Sequence, residues 1–514
     1  MVSDGHSGLQ ASQSALSSQF LLPRAAGIPT IPPAMPGSRR IIGLVLLGCL
    51  ALGLRVWVVM ALRAEHDRPV AYEHGRIAEN LLAGRGFSIE FLGTEGPTSQ
   101  QAPFYPALLV AAYWLFGTGS PEAILAVQLL QCVVGAGLVL AVVWLAWLMV
   151  PDRPAVGWVA GLAAAVYPTH LYMVTHLQVA LWAALLLTLL LAVVLSPRWR
   201  ATRRGAILAG CLAGVLLLVE PILALALPIC AAAFWLGEKA PRWTDRFRRA
   251  PLGRVAIMAG TAALIVAPWI ARNGVVHGEF VFVKSTFGYA FWQGNNPISL
   301  GTDKVPKPSA ERLRRDHDGT LAGIDRAMWE ARHETLYIDD VLLKPGGYRE
   351  FAGLSEPQRS RLLGRRAWQF IRDNPDQYAR LCLNRLRYFL LFDQTNPKAA
   401  NRVYRLATAI WLVLAAVGLL STLGRWRRFW PTWAVFAAVT LFHTLVITSV
   451  RFRIPLEPMT LVWAAAAVTP ALVRVAAGRR ITVHRPGQQQ RDPLATEQPL
   501  AEPPHEARPG RRAA

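Results

Sequence analysis

Residues 123–150 read AILAVQLLQCVVGAGLVLAVVWLAWLMV, a run without a single charge. A helix of roughly 20 apolar residues, rising ~1.5 Å per residue, crosses a hydrocarbon layer of ~30 Å. No water reaches a backbone amide inside that layer, so the segment must satisfy its own hydrogen bonds as a helix or belong to a closed barrel. The run lacks the alternation of apolar and polar residues that a barrel strand requires. It is therefore a membrane helix, and the fold follows from finding its companions.

Outward from this run, apolar blocks place helices near 41–62, 122–150, 154–171, 177–195, 205–219, 221–236, 254–270, 405–422, 430–449 and 455–474. The expected fold class is an all-α polytopic membrane protein with about ten transmembrane helices. Basic residues cluster at alternate ends of these blocks. Arg39 and Arg40 precede the first, and Arg198, Arg200, Arg203 and Arg204 follow the fourth. Lys239 to Arg254 and the group Arg425, Arg427 and Arg428 complete the set. The positive-inside bias puts all of them in the cytoplasm. The stretch Phe104–Phe116 is too short to span and carries Pro103 and Pro106 at its start, so it reads as an interfacial or re-entrant helix.

The domain organisation follows. Residues 1–38, rich in Ser, Gly and Pro, form a disordered cytoplasmic N-terminus, and 476–514 a disordered cytoplasmic tail. Residues 39–270 form a transmembrane core with a first outer loop at 63–121. Residues 271–404 form a mainly helical extracytoplasmic domain, and 405–475 the last transmembrane helices.

Composition agrees. Of 514 residues, 53% are hydrophobic and 17% charged, with mean hydropathy +0.31; a soluble chain averages ~25% charged. The net charge of +22 comes without a zinc, homeodomain or RNA-recognition signature, which argues against a nucleic-acid partner. The five cysteines form no CxxC pair or Cys/His cluster and read as small apolar residues.

Chemistry-bearing residues gather on the predicted outer side. In the first loop, Glu73, Ile77, Asn80 and Gly84 share one helical stripe. A carboxylate on an apolar stripe costs free energy unless it is paired or used. Pairing with Arg76, a solvated face and a catalytic base are all compatible with the spacing. Asp67 and Glu65 are further acids in the approach segment. Arg272 and Asn273 follow the seventh helix, where an arginine either snorkels or binds a phosphate. Arg451, Arg453 and Glu457 stand at the last outer turn, where a lipid phosphate and an internal Arg453–Glu457 pair are the competing readings.

Four segments, YEHGRIAENLLAGRGFS (72–88), PTSQQAPFYPALLVAAYWLFG (97–117), PWIARNGVVHGEFVFVKSTFGYAFWQGNNP (268–297) and RFRIPLEP (451–458), occur in this order. Through them the chain, over residues 40–475, resembles the C-type (GT-C) membrane glycosyltransferases, nearest to family 39 and its bacterial relatives. These include protein O-mannosyltransferases and the lipid A aminoarabinose transferase. The resemblance implies a polyprenyl-phosphate sugar donor, a lipid, glycan or protein acceptor, and inverting transfer on the extracytoplasmic face of a bacterial inner membrane. It implies Glu73 as base with Asp67 as alternate, and Arg272, Arg451 and Arg453 on the lipid phosphate. Tyr72, Asn80, Tyr105, Asn273, Asn295 and Glu457 complete the implied pocket. The chain departs from its relatives at two places: Tyr72-Glu73 has no adjacent acid, and the fourth helix opens with THLQVALW rather than an acid. Whether a divalent cation binds stays open. A transporter or flippase and a degenerate non-catalytic member are the rival functions.

Overall fold

The computed structural model describes residues 37–62, 71–236, 249–396, 399 and 401–481. The terminal stretches 1–36 and 482–514, with Asp67 and Glu65, lie outside the described residues. The described residues from 47 on form one compact unit; the described part of the preceding unit is residues 37–46.

Each of the ten apolar blocks is helical. They are α1 (Gly37–Leu62), α4 (Pro121–Met149), α5 (Ala155–Val166), α7 (Ala180–Leu195), α9 (Arg203–Val219), a 3-10 turn (Pro221–Leu225) continuing as α10 (Ala226–Leu236), α11 (Arg249–His277), α18 (Arg402–Ser421), α19 (Trp426–Leu445) and α20 (Glu457–Ile481). Among the described residues, five stretches are long and apolar enough to cross a bilayer, by length and composition. The first loop forms α2 (Tyr72–Leu82), the hairpin β1 (Ser88–Phe91) and β2 (Thr94–Pro97), and α3 (Phe104–Phe116). Short α6 (Pro168–Met173) and α8 (Pro197–Arg200) lie in interhelical turns. The outer region adds α12 (Phe287–Gly294), β3 (Lys304–Val305), α13 (Pro308–Arg315), α14 (Leu321–His333), β4 (Leu336–Tyr337), α15 (Ile338–Leu342), α16 (Glu356–Asp373) and α17 (Pro375–Leu390).

The single helix expected over 154–171 is two. Tyr167 takes an extended backbone (φ −66°, ψ 116°) because Pro168 follows it. The break turns α6 across the end of the bundle.

Small residues allow close crossings. On α9, Gly210 and Gly214 face α11, where an added Cβ would lie 2.6 Å from the Met258 carbonyl oxygen and 2.8 Å from the Ile265 Cβ. Without a hydrophobic force between helices in lipid, such close approach supplies the packing. Gly210→Val is expected to push the helices apart and lower stability by about 1–3 kcal/mol. Gly260→Ala on α11, with nothing within 4 Å, serves as the control. Thermal unfolding in detergent checks both, and equal midpoints would contradict this packing.

The block read as apolar over 41–62 contains one charge, Arg55, which is fully buried. Its guanidinium donates to Ala164 O at 3.3 Å and Ala165 O at 3.4 Å, and so caps the C-terminal end of α5. Arg385 does the same for two helices at once, donating to Leu445 O (2.8 Å) of α19 and Gly294 O (2.8 Å) of α12.

The first loop and the outer region share one core. The β1–β2 hairpin turns through Leu92 (φ 49°) and Gly93 (φ 77°), the two positive φ values of a type I′ turn. Phe91 and Leu92 then pack with Phe291, Trp292, Ile338, Phe351 and Leu363.

Candidate functional site

At the end of the bundle where α1 and α11 finish, four segments meet: the start of α2, the irregular segment after β2, the stretch between α11 and α12, and the 3-10 turn before α20 (Val450–Leu456). Glu356 holds two of them. Its carboxylate accepts from the Thr98 hydroxyl (2.5 Å), the Ser99 amide (2.7 Å) and the Ser285 hydroxyl. Arg272 fixes the same irregular segment, donating to Thr98 O (2.6 Å) and Phe87 O (3.1 Å) with its plane against Phe87 and Trp269. Held this way, Gln101 accepts from the Lys284 ammonium at 3.0 Å.

Lys284 is the hub. Burial first, then Arg451, pull its ammonium below its ordinary value, while Glu220 and Glu73 pull it up. The charge of Arg451 also acts on Tyr72, His74 and Asp303. Burial acts to raise the Asp303 carboxyl, but Lys304, 2.6 Å away, and Arg451 outweigh it and hold it below the usual carboxylate value. Burial pushes the Tyr72 phenol up to about 12. The Tyr72 backbone is left-handed (φ 48°), sparse territory for an aromatic residue. That kink starts α2 with Glu73 in its first turn, where the helix dipole favours a carboxylate. Glu73 is half-buried and makes no hydrogen bond or ion pair among the described residues.

His74, beside Glu73, is buried against Tyr105. Burial, aided by Lys284 and Arg451, pulls its imidazole down to about 3. The folded protein therefore keeps His74 neutral while the unfolded chain takes up a proton below pH ~6.5. Stability is fully present above that value and falls as pH drops from 6.5 toward 3, by up to ~1.4 kcal/mol per pH unit. His74→Asn is expected to flatten that decline between pH 6.5 and 4.5. Parallel slopes for variant and wild type would count against it.

Of the residues chosen from sequence, Glu73, Tyr72 and Arg451 share this electrostatic neighbourhood. The others are engaged elsewhere. Asn80 donates to Ser88 O (2.8 Å) and accepts from Arg85, locking the turn after α2. Tyr105 donates to Gln131 (2.9 Å). Asn273 accepts from Ser99 and Arg272, and Asn295 accepts from Arg385. Arg453 and Glu457 are fully buried and paired at 2.9 Å. The Arg453 guanidinium also donates to Phe389 O (3.0 Å) and Leu390 O (2.9 Å), capping α17, and lies over Trp411. His170 approaches Glu457 at 3.3 Å. Asp67 lies outside the described residues.

Lys284, Glu220 and Asp303 were missed. Lys284 is the lone cation of VFVKSTFG, and Glu220 the lone acid where α9 ends; an isolated charge in an apolar run was the available signal. No such signal marks Asp303. Among the described residues, no three His, Cys, Asp or Glu side chains are grouped to hold a metal ion.

No protein-family profile matches the chain, and no curated protein does. Solved structures do. The oligosaccharyltransferase AglB of Archaeoglobus fulgidus, in complex with an inhibitory peptide and a dolichol-phosphate, superposes with TM-score 0.50 at 15% identity, over 88% of this chain and 52% of that one. Its apo form gives 0.50 at 16%, over 86% and 51%. ArnT of Cupriavidus metallidurans bound to undecaprenyl phosphate gives 0.36 at 17%, over 87% and 80%. The chain spans about half the length of the oligosaccharyltransferase it matches. Identity this low speaks to architecture alone, and on that count the chain has the all-α, polytopic GT-C-like fold that its sequence segments led us to expect.

Proposed function

We propose that the chain is a glycosyltransferase that moves a sugar from a polyprenyl-phosphate donor to an acceptor hydroxyl at the extracytoplasmic face of a bacterial inner membrane. One observation carries the reading: a carboxylate, Glu73, and a guanidinium, Arg451, act on the same half-buried Lys284. Neither has an ion-pair partner among the described residues. A base in the same electrostatic neighbourhood as two cations suits displacement of a phosphate. The dolichol-phosphate bound to the oligosaccharyltransferase AglB accords with it.

In this mechanism Glu73 takes the acceptor proton as the acceptor oxygen bonds to the anomeric carbon. The bond from that carbon to the phosphate oxygen breaks, its electron pair leaves with the lipid phosphate, and configuration inverts. Arg451 and Lys284 stabilise the charge that develops there. The mechanism routes no step through a divalent cation.

The test is purified protein in proteoliposomes with a labelled polyprenyl-phosphate sugar. Sugar on an acceptor, with stoichiometric release of polyprenyl phosphate, is expected. Movement of the intact donor across the vesicle without transfer would replace this reading with a flippase, and neither result with a non-catalytic scaffold.

A further inference from the structure

At the end of the bundle opposite Glu73, the turn between α18 and α19 faces the turn after α4. A cleft of about 370 Å³ opens between them, lined by Asp152, Gly424, Arg425, Trp426, Arg427 and Arg428. A recess beside it shares Arg427 and Arg428 and adds apolar wall from Leu148, Leu195 and Trp430. The cleft is strongly positive. Three of its lining residues are arginines, and its only lining carboxylate, Asp152, is already taken by Arg425 at 2.6 Å. The N-terminus of the 20-residue α19 adds to the field, having no acidic residue in its first turn and no side-chain cap. Trp426, 55% exposed beside Arg427, suits headgroup depth.

We propose that this cleft binds the headgroup phosphate of an anionic phospholipid from the leaflet on that face. The guanidinium of Arg427 and the α19 amides meet the phosphate. The first methylenes lie against the exposed Trp426 ring. That apolar ring beside the cationic wall selects a lipid over free phosphate, which has no use for it. The site sits at the far end from the transfer chemistry and does not depend on it.

The test uses full-length protein stripped of lipid in detergent, with native mass spectrometry counting retained phosphatidylglycerol or phosphatidylcholine. Wild type is expected to keep phosphatidylglycerol in preference. Arg427→Gln should weaken retention about fivefold, and Arg427→Lys should largely keep it. Asp152→Asn, which frees Arg425, should strengthen it. Gly424→Asp has room for the new side chain, since nothing lies within 4 Å of its Cβ position. It adds a carboxylate to the cleft and should abolish the preference while leaving the unfolding midpoint unchanged, so the proposal stays testable even where Arg427→Gln folds poorly. Equal retention of the two lipids, or a folded Gly424→Asp that still prefers phosphatidylglycerol, overturns the proposal. Displacement of the lipid by millimolar inorganic phosphate also overturns it, in favour of a free-phosphate site.

Discussion

Glu73→Gln is expected to lower kcat for sugar transfer by about 10²–10⁴-fold, with KM for the donor changed by no more than about twofold. Glutamine keeps the shape and the hydrogen-bonding reach of the side chain but cannot accept a proton. The carboxylate stands in the first turn of α2, set there by the left-handed Tyr72 and without an ion-pair partner among the described residues. The charge gains there only a helix-dipole interaction of about 0.3–1 kcal/mol, so the unfolding midpoint should move little. Arg76, the partner available by spacing, is engaged with Glu79 at 3.5 Å instead. Full transfer activity in a Glu73→Gln protein would remove this residue from the mechanism and leave Asp67 as the carboxylate to test.

Arg453→Met should act on stability rather than on donor affinity. The guanidinium lies fully buried against Glu457 and two carbonyl oxygens of α17. Its removal strands the Glu457 charge with only His170 nearby. Breaking one side of a buried pair costs about 3–5 kcal/mol, whereas replacing both partners with apolar side chains of similar volume is often close to neutral. Arg453→Met is therefore expected to lower the unfolding midpoint sharply, and Arg453→Met/Glu457→Met to regain most of the loss. Had Arg453 held the lipid phosphate, the single variant would keep its stability and raise KM. That outcome, measured by unfolding and kinetics on the same preparation, would reverse the assignment.

These two residues show where sequence stops informing. The ten helices were legible because lipid leaves a backbone almost no choice, so hydropathy alone marks the segments. The break at Tyr167 was not read: Pro168 signals it, but apolar continuity through 154–171 masked it. A guanidinium is different. It binds a phosphate oxygen, a carboxylate or a helix-end carbonyl with the same donors. Arg272, Arg385 and Arg453 all took carbonyls, from residues 59 to 185 positions away. No local period encodes such partners. The partner of Lys284 was hidden for the same reason, although its isolation in an apolar run marked the residue: Gln101 lies 183 positions earlier. Glu73 and Arg451 could be picked out because each is an ionic residue beside apolar sequence.

Arg55 makes the chain's synthesis a matter of timing. Its acceptors, Ala164 and Ala165, lie 109 and 110 residues downstream. At roughly 5–20 residues per second, the ribosome delivers them about 5–20 seconds after the arginine itself. Through that interval the first helix holds a cation whose guanidinium reaches only the Ala51 carbonyl of its own helix, worth about 2.5–3.5 kcal/mol against staying in the bilayer. A nascent chain stopped before Ala164 should therefore slip from the translocon poorly anchored and fall to quality-control proteolysis, while one extended past Ala165 should be retained.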